Sequence, residues 1–389
     1  MIITDKKQCC NCTACASICP QKCITMKPDN EGFKYPIVNV DKCIKCGLCE
    51  KVCPVIHNEI CKINDFDLKG YIVRDKRSEV VSDSTSGGFF TVLAEYVLER
   101  NGIVYGAAFD FDFRVYHTCI DTKKDIHKLR GSKYVASDLE KVFHGVLRDL
   151  KKDRYVLFTG CPCQVAGLKS FLRKGYDKLI TMDVVCHGTP SHLFWQKHLE
   201  YQRKKHKDDI KFVRIRNKTY GYHSGTMMIE FENGKKIFES ARSNYYLKSF
   251  FGDVCSKPHC YNCAFKHEQH CADFTVYDAW HAGKLADIQD DDKGWTNLII
   301  QSKKGQVIFE VLKDRYIYHP VDYRKAIELD GIMVNNSVPW NNKRKCFFIG
   351  IENEDFKKHC EKFVHISIKD IIVEKLKRFY YWRKNKRDY

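Results

Sequence analysis

Residues 9–20 read CCNCTACASICP, and residues 43–54 read CIKCGLCEKVCP. Both follow C-x2-C-x2-C-x3-C-P, so Cys9, Cys12, Cys15 and Cys19 return 34 positions later as Cys43, Cys46, Cys49 and Cys53. The stretch is an internal duplication. Its spacing has a chemical reason. Three closely spaced thiolates wrap one corner of an iron–sulfur cubane, and the backbone between them donates hydrogen bonds to the sulfides. The fourth thiolate, beside proline, reaches the other cubane. The pattern therefore predicts one [4Fe–4S] cluster on Cys9, Cys12, Cys15 and Cys53, and a second on Cys43, Cys46, Cys49 and Cys19. Zinc is the alternative, but a zinc site rarely draws four cysteines from each half of a repeat, and nothing here resembles a finger. Cys10 and Cys23 fall outside the pattern and are read as non-ligands.

Over roughly residues 1–60 this resembles a bacterial-type two-cluster ferredoxin domain, a module that moves single electrons. The remainder of the chain is expected to hold another redox centre fed by it. The 389 residues allow two or three domains, and 44% apolar with 13% aromatic residues suits a folded globular protein. The chain has 21 cysteines, and its start, MIITDKKQCC, has neither an apolar core nor a small-residue cleavage site. That combination predicts the reducing cytoplasm, with cysteines used for metal or clusters rather than disulfides. No apolar run is long enough to span a bilayer. The net charge is +17, with a dense basic run, KLKRFYYWRKNKRDY, at residues 375–389. It reads as a solvated surface and tail, with peripheral contact to anionic lipid or a partner as the sharper alternative. Nucleic acid is not expected as a partner.

Past a polar linker at 60–68, GYIVRD reads as a strand, followed by a turn from Ser84 to Gly88 and a helix from Phe89 to Arg100. GIVYGAAFD and FRVYHTCID read as paired strands, and DLEKVFHGVLRDLKKD as an amphipathic helix. RYVLF is a buried strand leading into GCPCQ, whose helix QVAGLKSFLRKG ends at Gly175. KLITMDVV is a second apolar strand, leading into CHGTPS and the helix HLFWQKHLEYQRKKHK. Cys161 and Cys163 follow one strand and Cys186 the next. Carboxyl ends of neighbouring strands converge on ligands in α/β folds, so the two turns are expected side by side. From about residue 210, IKFVRIRNK and TMMIEFENGKKIFES alternate with period two around an Asn-Gly turn. Then CSKPHCYNCAFKHEQHC, residues 255–271, offers Cys260 and Cys263 as a ligand half-site, with Cys255 and Cys271 nearby. Zinc, iron–sulfur and a purely structural role all remain open for it.

The ordered motifs TSGGF, GSKYV, GCPCQVAGL, DVVCHGTPS, PHCYNC and ADFTVYDAW resemble the family of β-subunits of coenzyme F(420)-reducing hydrogenase and dehydrogenase. Its members are FAD- and iron–sulfur-containing oxidoreductases, and ferredoxin-headed bacterial members are associated with cell-surface polysaccharide biosynthesis. The resemblance runs from the cysteine repeat to about residue 340. It implies an oxidoreductase with a flavin between the clusters and a small substrate, sugar-derived or a deazaflavin. A relay subunit passing electrons to a partner protein or ferredoxin, with no chemistry of its own, is the alternative. The implied FAD contacts are Ser86, Gly87 and Gly88, then Gly131, Ser132, Lys133 and Tyr134, with Gly160, Pro162 and Gln164 in the cofactor wall. Glycines admit close approach, a helix N-terminus suits phosphate, Lys133 offers a cation and Tyr134 a stacking ring.

The resemblance also implies a third [4Fe–4S] cluster. Cys260 and Cys263 fit it best, Cys163 and Cys186 complete it by their place at strand ends, and Cys255 and Cys271 are local alternatives. Cys161 stands where relatives carry threonine, which argues against ligation there and against a Cys161–Cys163 disulfide. His187, beside Cys186, is the candidate catalytic group, with a turn histidine bonding backbone as the plain alternative. Arg214, Arg216 and Lys218 could hold an acidic substrate group or be solvated strand charges, and Asp273 and Asp278 are assigned no catalysis.

The expected fold class is α+β / α/β: a small bacterial-type ferredoxin domain, then a mixed α/β domain binding flavin and iron–sulfur. The divisions are 1–60, the flavin-binding part 68–205, a part with the hairpin and third cysteine group 206–345, and a basic tail 346–389.

Overall fold

The structure, a computed structural model, describes residues 5–57 and 65–387. Most of the linker read at 60–68 lies outside the described residues. The N-terminal module is small: a helix Ala14–Ile18, a two-stranded antiparallel ribbon of β1 (Ile24–Pro28) and β2 (Lys34–Val38), and a helix Leu48–Lys51.

The body is built on one eight-stranded mixed sheet. Its strands are β3 (Lys69–Asp75), β4 (Ile103–Phe109), β5 (Val115–Ile120), β6 (Val156–Gly160), β7 (Leu179–Val184), and, beyond a separate three-stranded sheet, β11 (Phe274–Asp278), β12 (Thr296–Ile300) and β13 (Tyr316–Val321). Their order is β13-β3-β12-β11-β7-β6-β4-β5. The middle four, β11, β7, β6 and β4, run parallel, and the flanking strands pair antiparallel. The parallel strands are covered on both faces, which is why VLFTG and LITMDV read as unbroken apolar runs instead of alternating ones. The sheet takes β3–β7 from the 68–205 segment and β11–β13 from the 206–345 segment, so the two segments share one core.

The second sheet contains β8 (Ile210–Asn217), β9 (Thr226–Phe231) and β10 (Lys236–Glu239), antiparallel in the order β10-β9-β8. The β9–β10 hairpin turns at Asn233–Gly234, as the sequence predicts. The helix after β6 spans Pro162–Leu172, and its left-handed C-cap is Arg173 at φ 61°, so the helix ends before Gly175. The segment 346–389 is more than a tail: Phe347, Phe356 and Cys360 are buried in the core of the second sheet, and the helix Ile368–Arg387 follows.

The N-terminal module docks on the helix Pro162–Leu172. Cys12, Ala14 and Val52 share one apolar core with Val165, Ala166 and Leu168. A Cβ at Gly167 would lie 2.5 Å from Cys12 Cβ, so glycine sets the closeness of approach. Arg344, 4% exposed, clamps Glu31 through both carboxylate oxygens at 2.9 and 2.5 Å, and Lys257 Nζ lies 3.5 Å from the Tyr35 ring centre.

Candidate functional site: thiol groups and basic pocket

Cys9, Cys12, Cys15 and Cys53 line one cavity, together with Cys10, Cys49, Met26 and Val55. Short irregular backbone makes this possible: Asn11 and Thr13 are left-handed at φ 64° and 65°, which turns successive thiols inward. Burial, with repulsion from neighbouring thiols, pushes Cys9 up to about 11 and Cys15 up to about 12. Bare thiolates are costly there. A bound iron centre would supply the opposing charge and displace the protons, so the donor set fits a cluster. The other set opens towards solvent. Cys46 is exposed, Cys49 also touches the first cavity, and Cys23, outside the motif, lies 3.3 Å from Cys19 Sγ and next to Cys43.

A second thiol group gathers at the carboxyl edge of β6 and β7. Gly160 pairs with Asp183, so the turns after these strands are neighbours, as expected from the sequence. The Cys161 and Cys186 thiols are neighbours, and their interaction pushes Cys186 down to about 6 and Cys161 well up. The Gly188 N–H also donates to Cys186 Sγ at 3.3 Å. Cys260 and Cys263 reach the group from the 3-10 turn Pro258–Asn262: burial raises both, with Cys186 adding to it, and Cys163 is raised by Cys10 and burial first, with Cys161 and Cys263 adding. The Lys266 ammonium, beside these thiols, donates to the carbonyls of Cys186 and Met333, each at 2.5 Å. The structure thus brings together Cys163, Cys186, Cys260 and Cys263, and adds Cys161. The local alternatives lie elsewhere: Cys255 is buried beside Cys360, and Cys271 is buried in the core under the N-terminal module.

Cys10 joins the two groups. Its side chain packs with Cys12 of the N-terminal module and with Cys163 of the body, and interaction with these two thiols pulls it well down. Among the described residues no three His, Cys, Asp or Glu side chains converge on a single metal-ion position.

The glycine-rich loops lie along the same sheet edge. Ser86 and Gly87 are tied to Thr296, the first residue of β12, and Gly88, at φ 92°, is the N-cap of the helix Phe89–Leu98. Ser132 N–H bonds Thr85 Oγ1 at 3.1 Å, which joins the loop of Gly131 to that of Ser86. Gly131 has φ 81° and open space where a Cβ would stand. The expected roles of Lys133 and Tyr134 differ in the structure. Lys133 Nζ donates to the carbonyls of Lys128, Leu129 and Arg130, closing the end of a short helix, and burial with the Arg214 charge pushes it down to about 7. Tyr134 stacks on Phe250 with ring centres 4.9 Å apart, and its hydroxyl accepts from Arg216 at 3.0 Å. Gly160 and Pro162 flank the thiols, while Gln164 Oε1 accepts the Cys161 N–H at 2.8 Å and caps its own helix.

His187 also has a partner: its Nε2 is 2.9 Å from Asp253 Oδ1, and its ring packs edge-on against Phe250. Arg214 pairs with Asp83 at 2.6 Å, as does Arg130 at 2.8 Å, and Lys218 donates to the carbonyls of Val81, Ser86 and Lys293. Arg216 bonds Asp278 at 3.1 Å and lies over the Trp280 ring, and its Nη2 is buried with no partner. Burial works against its charge, and the Asp278 carboxylate more than offsets that. Asp278 also receives the Tyr222 hydroxyl at 2.9 Å. Asp273 is structural: it accepts Thr181 N–H and hydroxyl and Ser302 hydroxyl. The sequence reading missed Asp83, Arg130, Tyr222, Thr296 and Lys266. Arg130 alone had a signal, standing directly before GSKYV.

Three family models match. "4Fe-4S dicluster domain" covers residues 8–56. Two models of "Coenzyme F420 hydrogenase/dehydrogenase, beta subunit" follow, the one for its N-terminal part over 71–144 and the one for its C-terminal part over 153–323. The coenzyme F420-dependent sulfite reductase of Methanocaldococcus jannaschii is 25% identical over 327 residues, 79% of this chain, and the chain spans only 46% of that protein. One subunit of the F(420)H(2) dehydrogenase of Methanosarcina mazei is 20% identical over 343 residues, 84% of this chain and 88% of that one. A chain from the F420-reducing [NiFe] hydrogenase complex of Methanosarcina barkeri aligns over 70% of this chain and 93% of its own, at 18% identity and TM-score 0.47. With both parts of the beta subunit matched in order behind a dicluster domain, the chain belongs to the family of coenzyme F420 hydrogenase/dehydrogenase beta subunits.

Proposed function

We propose that the chain is an iron–sulfur electron-relay subunit that works with a redox partner protein or ferredoxin. The observation that carries this reading is the packing of Cys10 and Cys163 against the one apolar cluster that holds Cys12, which sets thiols of the N-terminal module beside thiols of the body. It makes the thiols one series from the exposed Cys46 to the half-buried Cys260. Cys9, Cys12, Cys15 and Cys53 would hold one [4Fe–4S] cluster, Cys43, Cys46, Cys49 and Cys19 a second, and Cys163, Cys186, Cys260 and Cys263 a third. When bound, such clusters supply one-electron transfer. The protein's own part is to bury the thiols, to hold Lys266 beside the third group, and to fix both groups across one packed interface. Anaerobic purification with iron and sulfide analysis tests this. Iron for three clusters is expected, with no turnover of small molecules by the isolated, dithionite-reduced chain. Iron for two clusters would remove the third site, and turnover would replace the relay by an enzyme.

A second reading adds FAD, and the buried, unpartnered Arg216 Nη2 favours it. Gly131, the backbone N–H groups at the start of the helix Phe89–Leu98, and Arg216 would hold it. When bound, a flavin couples one-electron to two-electron, hydride-type transfer. Arg216 would meet an anionic or carbonyl oxygen there, while Lys133 and Lys218 stay on backbone carbonyls. A sugar-derived or deazaflavin substrate belongs to this reading, with His187 positioned by Asp253 nearby. Flavin released on denaturation in equal amount to the chain is the expected result, and flavin-free protein overturns it.

A further inference from the structure

The helix Ile368–Arg387 has 20 residues and, at about 1.5 Å per residue, runs about 30 Å. Both of its acidic side chains face the protein. Glu374, 3% exposed, accepts the backbone N–H of Ser240 at 3.1 Å and its hydroxyl at 2.7 Å. Asp370 accepts the Ser367 hydroxyl at 2.9 Å and pairs with Lys248 at 3.3 Å. Arg378 donates to the Phe238 carbonyl, and the Tyr381 hydroxyl donates to Asp292 at 2.7 Å. Positions 370, 374, 378 and 381 fall on one side of a 3.6-residue period.

The opposite side carries Ile368, Ile372, Leu376 and Phe379, exposed at 78%, 51%, 63% and 54%. Arg383 continues the row, its guanidinium 5.4 Å from the Phe379 ring centre. Lys369 and Lys375, both exposed, flank it. The sequence adds Lys384, Lys386 and Arg387 at the end of the helix.

Four large apolar side chains in one exposed row mark a contact surface. The charges around the row select its occupant. The acids are turned inward, and the charged residues flanking the row are basic. A second copy would set two basic rims together in a molecule of net charge +17. An anionic bilayer satisfies both features: the apolar row enters the acyl boundary, and the lysine stems reach back to the level of the lipid phosphates. The helix lies on the surface and does not cross it, since no helix among the described residues is long and apolar enough to span a membrane.

We infer that the helix Ile368–Arg387 is an interfacial anchor that lays the protein on an anionic membrane surface. Flotation of the full chain with phosphatidylcholine vesicles, and with vesicles that also contain phosphatidylglycerol, tests this. At least about tenfold more protein is expected to float with the anionic vesicles, less so at high salt. Ile372→Glu/Leu376→Glu is expected to lose this binding, and Lys369→Glu/Lys375→Glu to weaken it and flatten its salt dependence. All four positions are exposed, so unchanged circular dichroism and iron content are expected in both variants. Equal flotation with neutral and anionic vesicles, no flotation of the unaltered chain, or unaltered flotation of both variants overturns the inference. So does a dimer in sedimentation that Ile372→Glu/Leu376→Glu dissolves, which would assign the row to a second copy.

Discussion

Thr296 Oγ1 accepts the backbone N–H of Gly87 at 2.8 Å and lies 2.7 Å from Ser86 Oγ, joining residues more than two hundred positions apart. The approach is close: a Cβ on Gly87 would lie 2.3 Å from the Val73 carbonyl oxygen. Thr296→Val keeps the shape and removes the acceptor, leaving the buried Gly87 N–H unsatisfied. A loss of about 1–3 kcal/mol is expected in urea unfolding. Gly87→Ala should cost more, because backbone has to move. A midpoint unchanged by Thr296→Val would show that the tie carries no stability.

Crossed ligation can be read from iron content. Cys53 shares the cavity of Cys9, Cys12 and Cys15, although it belongs to the other repeat. Cys53→Ala and Cys9→Ala are expected to remove the same cluster, with the same change in the reduced EPR spectrum. Cys19→Ala should remove the other. Different spectra for Cys53→Ala and Cys9→Ala would mean that each repeat holds its own cluster.

The Cys161 thiol lies beside Cys186, close enough to donate to its sulfur, without being needed for the proposed third cluster. Cys163→Ser is expected to lose that cluster's iron. Cys161→Ala should keep the iron but lower the cluster's potential, because a hydrogen bond to a ligand sulfur stabilises the reduced, more negative state. A redox titration of the two variants decides. Loss of iron in Cys161→Ala and retention in Cys163→Ser would exchange their roles.

His198 is 1% exposed among Trp195, Tyr246 and Phe356, and neither ring nitrogen has a partner. Burial pushes it down to about 3 from the usual 6.5. The sign follows: the unfolded chain takes up this proton below about pH 6.5 and the folded chain does not. Stability from this residue is full above pH 6.5 and falls as pH drops towards 3. Between pH 7 and pH 5 the loss should be about 2 kcal/mol. His198→Phe is expected to remove that part of the slope, measured by urea midpoints at the two pH values.

Arg216 and Asp278 form a pair with side chains 8% and 19% exposed. Arg216→Ala leaves Asp278 with only the Tyr222 hydroxyl, and about 3–5 kcal/mol of stability should be lost. Arg216→Met with Asp278→Asn should recover part of it. If the flavin reading holds, Arg216→Lys folds normally but releases flavin more readily, because one ammonium cannot serve both Asp278 and an outward acceptor.

Much of the parallel half of the sheet was legible, and the physical reason is burial. Residues 156–159 and 179–183 are buried, so they appear as largely apolar runs closed by turn residues. The antiparallel half was harder. β12 is five residues without a flanking hairpin signal, and β13 is an edge strand with mixed exposure, so neither declares itself. In the site, thiol positions could be placed because a strand end fixes the first residues of a turn. The ends of long side chains could not. From its sequence alone Lys133 reads as pointing at a ligand, but it folds back on three carbonyls three to five residues earlier. The nearness of Cys161 to Cys186 depends on the register of β6 against β7, which no local pattern encodes. At the C-terminus, the basic run at 375–389 drew the reading away from the apolar period, which begins at Ile368.

Cys12 and Cys46 occupy the same place in the two repeats, yet Cys12 is 7% exposed against Gly167 and Cys46 is exposed to water. Duplication makes two equal halves, and docking makes them unequal. One half sits in a low dielectric among Val165, Ala166 and Leu168, and the other is solvated. Cluster potential depends on solvent exposure, so two clusters held by near-identical motifs would differ in potential through the helix that one of them leans on.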